Sequence, residues 1–387
     1  MKIVQLTTDN RNQFGRYDLP APYFGTAPTA LLEGFASIPE AEVHVISCAS
    51  TRMVVPEKLA PNVHFHQPFV PKWGWGRTFF LGCVLRTRAL IRSLRPDIVH
   101  GQGSERDCAM EAVLSGFPNV LTLHGNMRVH AARPDNGNPR YYRMAAKLEA
   151  FCLARTDGVV AISRYTRDLV ADATARTWLL PNAVDSRFFS VEPQVGGVPR
   201  ILFVGTINER KNPLALLRVC RELLLAGRCT LAFAGDGSAE SQYCKEFKRE
   251  ADGLPGVELL GFIGREALLS EFAKSSLLVL PTYEDNCPMV VLEAMAAGLP
   301  VAASHVGGVP DLIDEGVQGL MFAPDDPTAI RAAVEKLVTD AAFRRDAGEA
   351  GRRKAQAEFH PVRIAQRHME IYREVLAGGS SHPPFAR

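Results

Sequence analysis

The sequence lacks several features that mark other classes of protein. None of its eight cysteines lies in a CxxC pair, and their scattered positions favour reduced thiols over a zinc site or a disulfide framework. No run of about 18 apolar residues occurs, so we expect no transmembrane helix. Near the N-terminus a single lysine, Lys2, is followed by a strand pattern and not by a long apolar core, which predicts no signal peptide. A cytoplasmic location is the expectation that fits these absences.

An excess of charge of one sign is also missing. The formal net charge is +2, whereas proteins that bind nucleic acid through bulk electrostatics carry a strong basic excess. The P-loop motif GxxxxGK[ST] occurs nowhere in the chain. We therefore expect no nucleic-acid partner and no nucleotide site of the P-loop type.

What the sequence does contain is an alternation of strands and helices that starts twice. The chain of 387 residues exceeds one ordinary hydrophobic core, which favours two domains. The segment 191–199 (VEPQVGGVP), rich in proline and glycine, gives the clearest boundary. The prediction is an α/β protein with two Rossmann-like, doubly wound domains at 1–190 and 191–360, a helix at 361–376 and a flexible tail at 377–387.

The stretch 277–302 contains the strongest site pattern. A buried strand, a polar loop and a helix that begins near Pro288 follow one another. Glu284 and Asp285 lie in the loop, and Glu293 lies inside the helix. The crossing from a parallel strand to a helix N-terminus is where open α/β sheets bind phosphates. A carboxylate on such a helix is paired, wasted or directed at a ligand.

A second polar loop, GTINERKN at 205–212, also joins a strand to a helix. Arg210 and Lys211 lie beside the N-terminus of that helix, where cations and main-chain amides together form a good diphosphate site. A solvated charged loop is the alternative interpretation of the same residues.

In the first half, Gly25 lies between the first strand and its helix, where it would let main-chain amides approach a phosphate or a sugar. A plain turn glycine is the alternative. His100 and His124 each end a predicted strand, at the edge of the sheet where active-site groups collect. The polar segment 126–139 is longer than a usual connection, which predicts a binding loop or a mobile lid.

The segment 69–95 mixes aromatic and basic residues. Trp73, Trp75, Phe79 and Phe80 precede a helix that is rich in arginine. Such a mixture suits a membrane surface or a lipid-linked ligand. A core helix with a solvated basic face is the alternative.

Motifs in the second half resemble the retaining GT-B glycosyltransferases of the family 4 type. They are GTINERKN, AGDGS, LLGFI, YEDNCPMVVLEAMAAGLPV and VGGVPDLIDEGVQGLMF, with fainter matches such as LTLHG in the first half. The resemblance implies two facing Rossmann-like domains with a cleft between them, the acceptor on the first and the nucleotide-sugar on the second. The last helix would cross back to the first domain. No cofactor and no metal are expected, which fits the absence of a DxD motif.

The resemblance also implies catalytic roles for individual residues. His124 matches the histidine near the reacting carbon. Either Glu284 or Asp285 would contact the donor sugar: the usual spacing to Glu293 points to Asp285, whereas Glu284 lies one position too far. Glu293 itself would hold the ribose hydroxyls.

The remaining donor-binding positions come from the same resemblance. Lys211 matches the diphosphate lysine, and Arg210 would replace the arginine that usually stands where Thr206 is. Gly25 matches the N-terminal glycine loop. The loop residues that would meet the sugar, the diphosphate and the base are Asn286, Cys287, Pro288, Met289, Val290, Gly261, Phe262 and Ile263.

The predicted function is retaining, metal-independent hexosyl transfer from a UDP- or GDP-sugar to a glycan or lipid-linked acceptor in polysaccharide or glycolipid biosynthesis. Peripheral contact with the inner face of the membrane belongs to this prediction. Two alternatives share the fold. One is a nucleotide-sugar epimerase, which needs acid and base side chains and no acceptor site. The other is a non-catalytic nucleotide-sugar-binding subunit, which Thr206 and the position of Glu284 leave open.

Overall fold

The computed structural model describes residues 1–11, 16–17, 19–133, 138–193 and 196–378. The chain forms two compact units, one made of Met1–Ala183 with Pro361–Arg387, and the other of Val184–His360. The predicted flexible tail, 377–387, lies outside the described residues from position 379 onward.

The units divide between residues 183 and 184, whereas the sequence predicted a division after residue 190. A short 3₁₀ helix, Ser186–Ser190, already packs in the second unit, where the buried ring of Phe188 meets Phe272 edge-on at 5.1 Å between centroids. Arg352 also donates a hydrogen bond of 2.6 Å to the carbonyl oxygen of Val191. These contacts attach residues 186–191 to the second unit, so the chain joins that unit ahead of the prolines and glycines of the segment 191–199.

The first unit contains an eight-stranded sheet. Its strands are β1 (Lys2–Leu6), β2 (Glu42–Ile46), β3 (Lys58–Ala60), β4 (Val63–His66), β5 (Ile98–Gln102), β6 (Asn119–Leu123), β7 (Val159–Ala161) and β8 (Thr177–Leu179). Their order across the sheet is β3-β4-β2-β1-β5-β6-β7-β8, and every pair is parallel except β3 with β4. The central strands are apolar and buried because helices cover both faces of a parallel sheet.

The helices of this part of the chain are α1 (Thr26–Ala36), α2 (Leu81–Leu94), α3 (Cys108–Val113), α4 (Met127–Ala132), α5 (Pro139–Leu153) and α6 (Arg164–Val170). Two predictions are corrected here. His100 lies inside β5 and is fully buried, because the strand continues to Gln102. Part of the segment predicted as a loop or lid is α4, whose first turn is capped by the side chain of Asn126; residues 134–137 of that segment lie outside the described residues.

The second unit contains a six-stranded, fully parallel sheet. Its strands are β9 (Arg200–Val204), β10 (Thr230–Ala234), β11 (Val257–Gly261), β12 (Leu277–Leu280), β13 (Val301–Ser304) and β14 (Gly319–Phe322), in the order β11-β10-β9-β12-β13-β14. This is the strand order of dinucleotide-binding domains. The chain adds β10 and β11 on one side of β9, and then crosses to the other side of β9 to add β12, β13 and β14. The loops that follow β9 and β12 therefore meet at the switch point where such sheets bind ligands.

The helices of the second unit are α7 (Pro213–Leu225), α8 (Gln242–Ala251), α9 (Arg265–Lys274), α10 (Met289–Ala297), α11 (Val309–Leu312), α12 (Pro327–Thr339) and α13 (Ala341–Glu358).

The last helix, α14 (Pro361–Ala377), belongs to the first unit and packs on α1. A Cβ atom on Gly34 of α1 would lie 2.1 Å from the carbonyl oxygen of Pro361, so only glycine permits this close approach. Beside it, the buried ring of Tyr372 stacks on Phe35 at 6.2 Å between centroids. Of the helices in the described part of the chain, none combines the length and the apolar character that crossing a bilayer requires.

Candidate functional site

In the second unit, hydrogen bonds join the loop after β9 to the loop after β12. The carbonyl oxygen of Arg210 accepts from the main-chain N–H of Tyr283 at 2.8 Å and from the hydroxyl of Thr282 at 3.0 Å. The guanidinium of Arg210 donates in turn to the carbonyl oxygen of Glu284 at 3.1 Å. Arg210, which the sequence placed at the diphosphate, here holds the two loops in register. Thr206 is exposed near the start of the first loop.

Lys211 and Asp285 form an ion pair at this junction of the two loops. The Nζ of Lys211 donates to Oδ2 of Asp285, and the two side chains are only 14% and 15% exposed. The main-chain N–H of Lys211 is fixed by Oδ1 of Asn208 at 2.9 Å. The structure therefore brings together the predicted diphosphate lysine and the carboxylate that the spacing favoured.

The glycine pair after β13 supports the acidic loop from the other side. The N–H of Gly308 donates to the carbonyl oxygen of Asp285 at 3.1 Å. Gly307 has a φ of +54°, and a Cβ there would lie 1.9 Å from the same oxygen. Only glycine meets both conditions, which explains why the VGGVP motif belongs to the site.

Helix α10 follows the acidic loop and is nearly all buried. Cys287 and Pro288 are buried before its first turn, Asn286 is half-buried, and among its own residues only Met289 is partly exposed. Pro288 is the N-cap, its side chain makes no cap hydrogen bond, and the first turn contains no acidic residue. Its N-terminal amides, which include those of Met289 and Val290, therefore give the end of the acidic loop a partial positive charge.

Glu293 is 3% exposed and is paired. Its Oε1 accepts a 2.6 Å hydrogen bond from Nη1 of Arg265, the first residue of α9. The Nε of Arg265 also lies 3.3 Å from Oδ2 of Asp185, and its guanidinium lies over the ring of Phe188 at 4.5 Å. Burial raises the pKa of Glu293 to about 7, although Arg265 acts in the opposite direction.

The loop predicted to meet the base joins β11 to α9. Its main-chain N–H at Phe262 donates to Oδ2 of Asp236 at 3.0 Å, and Gly261 takes a left-handed φ of +64°. The ring of Phe262 is 78% exposed, and Ile263 is half-buried. This loop leads directly into Arg265, so the predicted base residues lie just before the partner of Glu293, the predicted ribose residue.

In the first unit, His124 follows β6 and is half-buried. Its Nε2–H donates to the side-chain oxygen of Gln102 at 3.0 Å, and Gln102 donates to Oε1 of Gln5 at 3.1 Å. Burial lowers the pKa of His124 to about 4, so the imidazole is neutral near pH 7. Beside it is a cavity with room for about one water molecule, with polar lining groups from Gln102, Thr122, His124, Asn182 and His368.

His100 lies beneath this cavity and has a structural role. Its Nδ1 contacts the hydroxyl of Tyr372 at 2.6 Å, and its Nε2 contacts the hydroxyl of Thr122 at 2.8 Å. Complete burial lowers the pKa of His100 well below its ordinary value. The ring is therefore neutral and links β5 and β6 to α14.

A buried ion pair orders the chain before Gly25. The guanidinium of Arg11 donates to both carboxylate oxygens of Asp9, with Nη2 to Oδ2 at 2.8 Å, and both side chains are fully buried. Asp9 also accepts from the main-chain N–H of Tyr23 at 3.1 Å. Gly25 itself has a φ of −62° and its Cβ would meet only Pro28 at 3.6 Å, so the conformation does not require glycine there.

The sequence missed the partners of the predicted residues. Arg265 and Asp185 fix Glu293, and Gln102 fixes His124. One signal was present: an arginine at the first position of a helix opposes the helix dipole, so its charge must serve another group. A glutamate inside an apolar helix needs such a cation.

Comparisons with known proteins agree with this fold. A family model described as glycosyl transferases group 1 matches residues 198–340, and one described as glycosyltransferase family 4 matches residues 30–188. Together they cover more than three quarters of the chain.

Relatives with assigned names are distant but extensive. Alpha-maltose-1-phosphate synthase of Mycolicibacterium smegmatis is 28% identical over 69% of this chain and 76% of its own length. D-inositol 3-phosphate glycosyltransferase 1 of Catenulispora acidiphila is 27% identical over 74% of each chain.

Solved structures share the fold over nearly the whole chain. Sucrose-phosphate synthase from Thermosynechococcus elongatus matches with a TM-score of 0.76 and 20% identity, over 98% of this chain and 100% of that one. HepE from Anabaena, solved in complex with UDP and glucose, matches with a TM-score of 0.67 and 18% identity, over 96% of this chain and 99% of that one. Two Rossmann-like units, the matched family models and these structures together identify the chain as a group 1 glycosyltransferase of the family 4 type with the GT-B fold.

Proposed function

We propose that this glycosyltransferase moves a hexosyl group from a UDP- or GDP-sugar to a glycan or lipid-linked acceptor, with retention of anomeric configuration and without a metal ion. The observation that carries the proposal is the junction of the two loops after β9 and β12. There Lys211 and Asp285 lie together, at the switch point of a parallel sheet and next to the first turn of α10.

The charges at this junction suit a departing diphosphate. Breaking the bond between the sugar and the nucleoside diphosphate builds positive charge on the sugar and negative charge on the leaving group. Lys211 and the amides at the start of α10 supply positive charge that is already in place. Arg210 supports them by holding the loop main chain. Solved proteins of the same fold include complexes with UDP-glucose, which favours a nucleotide-sugar donor for this chain.

The pair of Glu293 and Arg265 suits the ribose of the donor. A carboxylate can accept hydrogen bonds from two neighbouring hydroxyls, and the salt bridge to Arg265 fixes its orientation. The exposed ring of Phe262 lies on the loop just before Arg265, where it can cover the base.

The way these carboxylates are held supports the proposal of retention. Asp285 is occupied by Lys211, so we assign it to orienting the sugar and the lysine rather than to attacking carbon. The acceptor hydroxyl then attacks from the face that the diphosphate leaves, and a phosphate oxygen takes the hydroxyl proton as the new glycosidic bond forms. In retaining hydrolases, by contrast, a second free carboxylate acts as the nucleophile. His124 is neutral, and we assign it to hydrogen bonding with the sugar.

One assay separates this proposal from its alternatives. The purified protein is incubated with a panel of UDP- and GDP-sugars and with candidate glycan and lipid-linked acceptors, while nucleotide release and products are followed. Release that depends on an acceptor supports transfer. Interconversion of the sugar without acceptor would identify an epimerase, and tight binding without turnover would identify a binding subunit. The anomeric configuration of the product, read by NMR, tests retention.

The pH dependence of donor binding tests the role of Glu293. Because its pKa is raised to about 7, the affinity for UDP-sugar should increase as pH rises through that value and the carboxylate forms. In Glu293→Gln this increase should disappear, while titration of the nucleotide phosphates stays common to both proteins. Calorimetric Kd values between about pH 6 and pH 8 measure both effects. Equal pH dependence in the two proteins would remove Glu293 from the donor site.

The free energy of unfolding should fall as pH rises towards the pKa of Glu293, whereas the affinity for the donor should increase. A carboxyl whose pKa is higher in the folded protein than in the unfolded chain contributes stability at low pH, and this is lost as pH rises through the folded value. Denaturant unfolding of wild type and Glu293→Gln between about pH 4 and pH 8 isolates this contribution, because the loss starts near the ordinary pKa of glutamate and is complete above the folded value. If the affinity for the donor merely followed the stability of the fold, affinity and stability would change with pH in the same direction.

We also propose that the surface around α2 contacts an anionic membrane. Trp73, Phe79, Leu81 and Leu85 are each more than half exposed, and exposed cations surround them at positions 72, 77 and 86. The opposite face of α2 is buried, so the helix is part of the core and also presents an exposed aromatic, basic surface. Aromatic rings beside cations suit the interface of a bilayer with anionic lipids.

Vesicle sedimentation tests this surface. Wild type should pellet with phosphatidylglycerol vesicles and much less with phosphatidylcholine vesicles, because cations near an anionic bilayer each contribute about 1 kcal/mol. The double variant Trp73→Ser, Leu81→Ser should lose most of this binding. Leu225→Ser, which changes an equally exposed leucine on the second unit, is the matched control. Unchanged pelleting of the double variant would contradict the proposal.

A further inference from the structure

A cluster of four buried side chains in the first unit belongs to no part of the donor or acceptor chemistry. We call Cys48, Cys83, Asp107 and Glu111 the Cys48 cluster. One ligand atom from each, a sulfur or a carboxylate oxygen, lies within 4.8 Å of all the others. The four residues come from separate places in the chain: the segment just after β2, the first turn of α2, the residue before α3, and α3 itself.

Hydrogen bonds show how closely the cluster is packed. The Sγ of Cys48 lies 3.2 Å from Oε1 of Glu111 and 3.3 Å from the hydroxyl of Thr87. Thr87 also donates to Oε1 of Glu111 at 3.0 Å. All four cluster residues are buried, so their acidic groups have no access to bulk water.

The side chain of Asp107 belongs to the cluster and does not cap α3. Asp107 directly precedes α3, its φ of −77° and ψ of −33° are helical, and its side chain makes no cap hydrogen bond. One of its carboxylate oxygens instead lies within 4.8 Å of the carboxylate of Glu111 and of both thiols. Two carboxyl groups and two thiols that converge away from water suit a bound cation.

We propose that Cys48, Cys83, Asp107 and Glu111 bind one Zn²⁺ ion that stabilises the first unit. Two thiolates and two carboxylates give the four ligands of a tetrahedral site, and thiolate sulfur selects Zn²⁺ over Mg²⁺ or Ca²⁺. With bonds of about 2.0–2.3 Å, such an ion places its ligand atoms about 3.3–3.8 Å apart. Side-chain rotations that move the ligand atoms by roughly 1 Å would bring the observed separations to these values.

Burial favours the protonated forms of the acidic groups in the cluster. Burial raises the pKa of Asp107, burial and the charge of Asp107 raise the pKa of Glu111 well above its ordinary value, and a hydrogen bond that Cys48 donates to Cys83, together with burial, does the same for Cys48. Binding of Zn²⁺ replaces thiol and carboxyl protons, which leave to solvent, and forms zinc–sulfur and zinc–oxygen bonds without any redox change. Arg106, whose charge lowers the pKa of Asp107, offsets part of the remaining negative charge.

The ion would link the start of α2, which follows the aromatic residues Phe79 and Phe80, to the chain just after β2. Cys48 and Cys83 pack with Val70 and Phe80, and the chain just before α2 is strained, since Phe79 and Phe80 both take left-handed φ values of +52° and +63°. Side chains with a Cβ in this conformation are costly unless their surroundings hold them. A metal bond to Cys83, in the first turn of α2, supplies that support. The ion is structural, so transfer itself does not use it.

Metal analysis of the purified full chain tests the proposal. After dialysis, wild type should contain about one zinc per chain by mass spectrometry, and Cys83→Ala and Glu111→Gln should each retain less than about a tenth of that. Glu111→Gln is the sharper variant, because glutamine has the shape of the protonated acid and should not disturb a cluster that holds only protons. Cys152→Ala, which removes a buried thiol of the same unit outside the cluster, is the matched control and should keep its zinc.

Two further measurements keep a folding defect from imitating the result. Chelation of wild type should lower Tm by several degrees, with recovery on adding Zn²⁺ but not Mg²⁺. Substitution with Co²⁺ should give thiolate-to-cobalt charge-transfer absorption that Cys83→Ala lacks. No zinc in folded wild type, equal zinc in Glu111→Gln, or a disulfide between Cys48 and Cys83 found by mass spectrometry would each overturn the proposal.

Discussion

Replacing Lys211 with alanine should lower kcat/KM for the donor by roughly 30- to 1,000-fold, which corresponds to roughly 2–4 kcal/mol of lost transition-state stabilisation. Two effects add here. The variant removes a charge-assisted contact to the diphosphate, and it leaves the carboxylate of Asp285, which is only 15% exposed, facing the same anion without its partner. Initial rates over a range of donor concentrations, at saturating acceptor, measure the loss.

Two controls isolate the role of Lys211. Lys354→Ala removes a lysine of the same unit whose side chain is also 14% exposed and whose Nζ binds Asp314 at 3.0 Å. Lys354→Ala should leave donor kinetics close to wild type, because it leaves the charges at the switch point unchanged. Lys211→Ala, by contrast, changes those charges. Lys211→Arg keeps the charge and should recover part of the activity. Near-wild-type kinetics of Lys211→Ala would exclude it from the diphosphate site.

The strand-to-helix crossing at the site could be predicted from sequence because its signals are local. An apolar run gave β12, Pro288 marked the helix start, and Gly298 ended it with a φ of +76°. The inference that Glu293 must be paired or face a ligand was also local, since it used only the apolar character of the helix around it. Local patterns of this kind define strands, helices and the loops between them.

The partners of these residues could not be predicted, because they come from elements distant in the chain. Arg265 reaches Glu293 across 28 positions from another helix, and His100 proved to be a core residue only because β5 continues past it to meet α14. The Cys48 cluster shows the same limit. Cysteine spacing argued against a metal site, yet folding brings Cys48 and Cys83 beside Asp107 and Glu111.

Asp285→Asn should lower kcat by roughly 100-fold or more, whereas Glu284→Gln should change it by less than about threefold. Sequence spacing already favoured Asp285. The structure adds that its carboxylate binds Lys211 and its carbonyl oxygen is fixed by Gly308, while the loop main chain at Glu284 is held by Arg210. Both substitutions keep size and remove one charge, so each is the control for the other. A larger loss in Glu284→Gln would reverse the assignment.

A loss in Asp285→Asn alone leaves two explanations, because the carboxylate could act on the sugar or only through Lys211. The double variant Lys211→Ala, Asp285→Asn distinguishes them, since groups in direct contact are not additive when one works solely through the other. If Asp285 merely positions the lysine, the double variant should be no worse than Lys211→Ala. We expect instead that its kcat falls at least about tenfold further, because the carboxylate also orients the donor sugar. Equal kcat values in the single lysine variant and the double variant would restrict Asp285 to holding Lys211.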